Sequence, residues 1–366
     1  MIITGIQTRI VELFQPKPLI TGNIKIESIW FLLVDIYTDQ GVTGSSYIWS
    51  FNQAGAAAQK AVIEHLSKVV LNEDTKATPR IWEKMWKALI QWGHSGIPIM
   101  GLSAIDSACW DAVGKELNQP LVNILGRKLE AVPAYASGLW ITNDFDSLQK
   151  EASEHLALGF NAIKMRVGRS TISQDVEAVR LVRQAVGDQT ALMVDFSSAP
   201  LRANAHQLAR ALEPFSLTWI EDPIADENMK DHTEFTASVN TPVCFGEKVY
   251  APHGFLEIIE NRAADILMAD LQRAGGVTGW NRIAGMADAA RYPLSSHILP
   301  ELNLHLVGSA PTGYYLEHLT WAENLFNEQM ELHEGKIMIP DRPGFGISWN
   351  EKTILDNLKD QEVFKQ

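Results

Sequence analysis

Met193-Val194-Asp195, Thr218-Trp219-Ile220-Glu221 and Cys244-Phe245-Gly246-Glu247 are three short apolar runs that each end on a carboxylate. The acids are evenly spaced, since 221 − 195 = 26 and 247 − 221 = 26. Each interval holds a helix-like pattern between two strand-like runs, the sequence form of consecutive βα units, and so predicts a parallel sheet. In such sheets the functional side chains stand at the carboxyl ends of the strands, which gathers Asp195, Glu221 and Glu247 on one rim. Three ionised acids in one crevice repel unless a cation neutralises them, and an all-oxygen set selects Mg²⁺, with Mn²⁺ the alternative, over zinc. Any one of these acids alone is explained as well by capping the next helix. Three in register are not.

Outward from this stretch the same alternation continues. Strand-like runs fall at 132–137, 161–167, 191–196, 217–221, 243–247, 266–270, 294–297 and 314–317, with helical patterns between them. Eight strands in that order predict a (β/α)₈-type barrel. The strand tips carry Lys164 and Arg166, Asp195, Glu221, Glu247, Asp270, His297 and Glu317. A purely structural rim has no need of titratable groups on so many strands. His297 alone reads as a satisfied core histidine and Asp270 alone as a helix cap. On adjacent strands they form an Asp–His dyad in which the carboxylate fixes the imidazole tautomer and raises its basicity. Lys164 and Arg166 lie two apart on one strand and share its inward face. A buried salt-bridge layer is the bland account of them, and it stabilises poorly relative to apolar packing.

The first part of the chain reads differently. Residues 2–13 and 27–37 alternate as strands, and Asp39-Gln40-Gly41 is a hairpin turn signal. Helical periodicity follows over 53–71, 79–90 and 98–117, and 19–25 is expected to be a mobile loop. The expected division is an α+β capping domain at 1–125, a barrel at 126–325, and a C-terminal segment, 326–366, returning to the cap. The aromatic residues around 49–94 are mostly packing, with Trp49 and Trp92 the expected pocket members.

Composition limits the partners. The net charge is −13 over 366 residues with no basic run, which argues against nucleic acid or an anionic membrane. The two cysteines, Cys109 and Cys244, sit in apolar patterns, so no disulfide framework is expected and a reducing cytoplasm is. The start of the chain reads as a strand and lacks the features of a signal peptide. The longest apolar run is too short to span a bilayer.

Taken together the motifs resemble the enolase superfamily, and within it the mandelate racemase subgroup. The matching residues are Ala104 to Ala112, Lys164-Met-Arg166, Asp195, Trp219-Ile-Glu221-Asp-Pro223, Gly246-Glu247, Gly275 to Trp280, Ser296-His297 and Leu316-Glu317. The resemblance implies a modified (β/α)₇β barrel with an α+β capping domain. It also implies Mg²⁺ on Asp195, Glu221 and Glu247, the Asp270–His297 dyad as base, Lys164 neutralising a substrate carboxylate, and a protonated Glu317 hydrogen-bonded to it. The chemistry implied is abstraction of the proton alpha to a carboxylate through an enediolate. Two positions depart from the subgroup. Arg166 stands where a second lysine base is usual, and its high pKa makes it a poor base. Ser197 stands where Asn is common.

The small-molecule carboxylate expected from this is an acid sugar or related hydroxy acid undergoing dehydration, for which one base suffices. The alternatives are racemisation, epimerisation or cycloisomerisation, and, remotely, a non-catalytic binding barrel, which would be expected to lack a ligand or base. Asn23 in the capping loop, Trp49, Ser137 and Ser197 are the candidate substrate contacts, and a homo-oligomer is expected.

Overall fold

The first 50 residues lay down an antiparallel sheet against which everything amino-terminal packs. In the computed structural model, which describes residues 1–21, 24–197, 202–225 and 228–365, β1 (Ile3–Thr21), β2 (Ile24–Thr38) and β3 (Thr43–Ser50) pair in sequence order. The turn at Asp39-Gln40-Gly41 forms as the sequence predicts, with Gly41 at φ +75° and Thr38 N donating to Val42 O at 3.2 Å. Of the segment expected to be a loop, Leu19 and Ile20 instead prolong the hairpin, pairing with Ile26 and Lys25. Asn23 lies outside the described residues.

Both faces of β2 are buried, and its alternation sorts them. Leu32, Val34 and Ile36 meet the helices α1 (Gln53–Val70), α2 (Thr78–Ala88) and α3 (Ile97–Glu116), while Ile29, Phe31 and Leu33 join the larger core shared with the barrel. Helix α3 lies so close to β3 that a Cβ on Gly44 would stand 2.0 Å from the Ala108 carbonyl oxygen. The short α4 (Leu121–Leu125) leads into the barrel.

The barrel strands are β4 (Ala131–Ser137), β5 (Ala162–Arg166), β6 (Ala191–Asp195), β7 (Trp219–Glu221), β8 (Val243–Phe245), β9 (Ile266–Asp270), β10 (Leu294–His297) and β11 (Leu316–His318). Between them run α5 (Phe145–Ala157), α6 (Ile172–Val186), α7 (Arg202–Leu212), α8 (Met229–Ser238), α9 (Ala251–Asn261), α10 (Leu271–Ala274), α11 (Gly276–Ala290) and α12 (Pro300–Ser309). Strands β4 to β10 are parallel and in order, and β11 pairs with β4. Tyr314 N donates to Leu294 O at 2.9 Å and Ser296 N to Tyr315 O at 3.1 Å, closing the ring. The result is a (β/α)₇β barrel with an α+β cap. Its interior below the rim is filled by Tyr135, Met193, Trp219, Cys244 and Met268.

The C-terminal segment does not return to the cap as one piece. A hairpin of β12 (Leu332–His333) and β13 (Lys336–Met338) adds antiparallel to β4 of the barrel. Only β14 (Leu358–Lys365), after α13 (Glu351–Asn357), joins the cap sheet beside β1. Cap and barrel are tied by buried polar contacts: Trp82 Nε1 to Gly275 O at 2.8 Å, Ser103 Oγ to Leu271 O at 2.8 Å, and Tyr47 Oη to Glu301. Among the described residues no helix is long and apolar enough to cross a membrane.

Candidate active site

Parallel register brings the strand tips level. Arg166 pairs with Asp195, Asp195 with Glu221, and His297 with Asp270. Glu247 lies two residues past the end of β8, beyond Gly246, whose φ of +133° turns the chain.

Lys164 is fully buried, bonded to Glu221 and 2.8 Å from Glu317, with its ammonium 5.3 Å from the Tyr135 ring centre. Burial opposes its charge, but the two carboxylates outweigh burial and hold its pKa above the ordinary value. Glu221 also accepts from Trp219 Nε1 at 3.0 Å. Burial, reinforced by repulsion from Asp195, Glu247 and Glu317, pushes Glu221 up to about 8 against the pull of Lys164.

Arg166 is held on every side. Its Nη1 donates to Gly138 O at 2.9 Å, Nε is 3.4 Å from Asp195 Oδ2, Nη2 is 3.7 Å from Glu317, and the guanidinium lies 4.0 Å from the Trp140 ring centre. Ser197 N and Oγ both donate to Asp195 Oδ1, at 2.6 and 3.2 Å. Ser197 therefore orients the first acid.

His297 Nδ1 lies 2.8 Å from Asp270 Oδ2, so the dyad forms. The capping role foreseen for Asp270 holds as well, because its Oδ1 accepts from Arg273 N at 3.1 Å. His297 Nε2 is 3.2 Å from Glu247 Oε2. Burial lowers the imidazole pKa, yet Glu247 first, then the Asp270 hydrogen bond, raise it to about 10. Glu247, more than Asp270, is thus the source of its basicity in the free protein.

In the free protein Glu317 is drawn toward its ionised form, whereas the expected protonated carboxyl belongs to the complex with a substrate carboxylate. Burial is outweighed by Lys164, His297 and Arg166, leaving it at about 2. It accepts from Ser137 Oγ at 2.6 Å and from Ile298 N at 2.8 Å. Ile298 and Leu299 both sit at positive φ, +48° and +47°, a strained pair pinned by Asn303 Nδ2, which donates to the Ile298 carbonyl at 2.6 Å. Strain of this kind in a β-branched residue beside His297 is typical of functional sites.

Trp49 is in the site, 6.5 Å from the His297 ring, and packs on Phe51 and Trp321. Trp92 is not: it is 50% exposed and lies against His65. Sequence reasoning passed over Trp140, which lies against Arg166, and Trp321, stacked on Trp140 at 6.0 Å, because isolated aromatics in loops carry no period. It also passed over Lys248, which bridges Asp222 at 2.6 Å and Glu247 at 3.5 Å, although its place next to Glu247 was a signal.

Among the described residues no three acidic or histidine side chains are gathered into a closed cage for a metal ion. Lys164, Lys248 and His297 hold the carboxylates instead. The donors still fit Mg²⁺: they are three carboxylates on consecutive strands, all hard oxygen ligands, and the raised pKa of Glu221 marks a cluster that favours added positive charge.

Residues 5–126 match the family described as mandelate racemase / muconate lactonizing enzyme, N-terminal domain, and residues 147–353 match the enolase C-terminal domain-like family. The chain belongs to the mandelate racemase / muconate lactonizing enzyme branch of the enolase superfamily. One superfamily relative is the L-talarate/galactarate dehydratase of Salmonella typhimurium, 30% identical over 91% of this chain and 84% of that protein. Another is the 3,6-anhydro-alpha-L-galactonate cycloisomerase of Streptomyces coelicolor, 32% identical over 86% of this chain and 88% of that one. An enolase from alpha proteobacterium BAL199, crystallised with bound Mg, superposes with a TM-score of 0.95 at 32% identity, covering 98% of this chain and 99% of the other.

Proposed function

We propose that this enzyme dehydrates an acid sugar: it removes the proton alpha to the carboxylate and expels the β-hydroxyl as water, leaving a 2-keto-3-deoxy acid. The observation that carries the reading is the His297 imidazole, fixed through Nδ1 by Asp270 with Nε2 turned toward Glu247 and Glu317. Asp195, Glu221 and Glu247 would hold Mg²⁺, which when bound supplies Lewis-acid stabilisation of the charge that builds on the carboxylate oxygens.

The protein's own groups do the rest. Lys164, buried and kept charged, meets one oxygen of the substrate carboxylate. Glu317 must take up a proton to donate to that carboxylate, and the arrival of a second anion beside it raises its affinity for one. His297 abstracts only when neutral, so Glu247 must be charge-compensated by a group other than His297. Having taken the α-proton at Nε2, His297 returns a proton to the β-hydroxyl as it leaves. The buried site excludes water from the intermediate.

The similarity to a dehydratase of acid sugars supports this outcome. Cycloisomerisation is the second reading, supported by the similarity to the anhydrogalactonate cycloisomerase, and it shares the proton abstraction. Two-base racemisation is disfavoured by the contacts that pin Arg166. The buried free thiols Cys109 and Cys244 agree with a reducing cytoplasm, and a homo-oligomer is carried over as an expectation of the resemblance.

The test is proton NMR in D₂O with Mg²⁺ and a panel of aldonates, aldarates and aryl 2-hydroxy acids. Loss of an α-proton signal with appearance of a 2-keto-3-deoxy product is expected. Deuterium entry without net product would move the reading to racemisation, and no exchange across the panel would oppose it.

A further inference from the structure

A cavity of about 750 Å³ opens immediately beside the catalytic cluster. The partition is one layer thick. Ser137, Trp140 and Trp321 line the cavity, while Ser137 also bonds Glu317 at 2.6 Å and Trp140 lies over Arg166. The far walls come from β1 and from α5, the first barrel helix.

Two properties of the lining limit what it can take. Its charge is mixed and tilted negative, with Asp144, Asp146, Glu151 and Glu154 against Lys17 and Lys150 among the described residues. That balance opposes a second carboxylate. Polar side chains also alternate with aromatic ones: Gln15, Ser137, Ser147 and Thr320 line the cavity beside Trp140 and Trp321. Interleaved donors and acceptors with aromatic edges suit neutral hydroxyls rather than an apolar group. The room matches a ligand of disaccharide size, since clefts of roughly 300–1,000 Å³ hold molecules well above six carbons.

Building on the acid-sugar reading of the catalytic centre, we propose that the cavity beyond Trp140 and Trp321 is a subsite for a neutral sugar unit. The preferred substrate is then a monocarboxylic aldonate carrying a glycosyl extension, and not a diacid. The C2 proton and C3 hydroxyl stay at the buried cluster while the extension occupies the cavity, so the bonds broken are those of the unextended reaction.

The experiment compares three compounds for each head-group configuration: the hexonate, the matching hexarate, and the hexonate glycosylated at O4, which leaves C2 and C3 free. Product formation and α-proton loss are followed by NMR with the Mg²⁺-loaded enzyme. The expected result is a kcat/KM for the glycosylated hexonate at least about tenfold above the hexonate, with the hexarate lowest. Lys150→Ala and Glu154→Gln, on the cavity wall of α5, are expected to reduce that preference ratio about fivefold through KM. Equal turnover of hexonate and glycosylated hexonate, or a preference for the hexarate, overturns the subsite while leaving the dehydratase reading intact. Absence of α-proton loss from all three overturns both.

Discussion

Nε2 of His297 lies 3.2 Å from Oε2 of Glu247, so the base and the third strand-tip acid form an ion pair in the free protein. A cation that takes Glu247 therefore displaces the proton that His297 holds. Glu221, raised to about 8, must lose a proton as well. Mg²⁺ binding is expected to release protons, and its affinity to weaken as pH falls below about 10, where His297 holds its proton, and more steeply below about 8, by up to about tenfold per unit for each proton released. Calorimetry in buffers of different ionisation enthalpy measures the proton count. A count of zero at pH 7 would contradict the assignment of these acids as ligands.

Arg166 is held by Gly138 O, Asp195, Glu317 and Trp140. The wild-type enzyme should then exchange the α-proton from one face only. Arg166→Lys puts an amine on the opposite face at the expense of stacking and a hydrogen bond. Dehydration is expected to fall about tenfold or more while deuterium appears in the inverted epimer. Chiral chromatography after incubation in D₂O reads this, and inverted product from the wild type would oppose the one-base account.

Gly276 is at φ +75°, and a Cβ there would lie 2.5 Å from Asp106 Oδ2. Asp106 is buried in α3 and accepts from Thr278 N at 2.8 Å and Thr278 Oγ1 at 2.7 Å, so it cannot yield without breaking the joint between cap and barrel. Gly276→Ala is expected to destabilise the fold by about 2–4 kcal/mol, visible as a lowered urea midpoint. A change within about 0.5 kcal/mol would mean the joint is softer than its contacts imply.

His305 is fully buried, its Nδ1 accepting from Val122 N at 3.3 Å and its Nε2 donating to Phe345 O at 3.0 Å. Burial lowers its pKa from 6.5 to about 4. The unfolded chain binds a proton near pH 6.5 that the folded chain refuses until about 4. Its contribution is thus fully present above pH 6.5 and lost as pH falls toward 4, by up to about 3 kcal/mol. Asp106 and Glu301, both raised to about 7 by burial, act oppositely, losing stability as pH rises. Comparing wild type with His305→Asn isolates the histidine: their stability difference should narrow by about 2 kcal/mol between pH 7.5 and 5.

The barrel was legible because buried parallel strands read as apolar runs that stop at a titratable tip. Strand β10 falls where its run predicts, at Leu294–His297, and β9 at Ile266–Asp270. What escaped was set by long-range contact. The hairpin of β12 and β13 is too short, at two and three residues, to show a period, so its docking on β4 was invisible. Leu19, Ile20 and Lys25 looked like parts of a loop because a two-stranded extension carries little core pattern. Trp140 and Lys248 gain their roles from residues far away in sequence or across the rim. The lowered pKa of Glu317 in the free protein depends on Lys164, His297 and Arg166 all being near at once.

The most direct test of the account is α-proton exchange by His297→Asn, followed by NMR in D₂O with saturating Mg²⁺ and a substrate the wild type turns over. The variant is expected to bind Mg²⁺ yet lose exchange by at least about 10³-fold. Exchange at the wild-type rate with Mg²⁺ bound would place the base elsewhere and contradict the central role of His297.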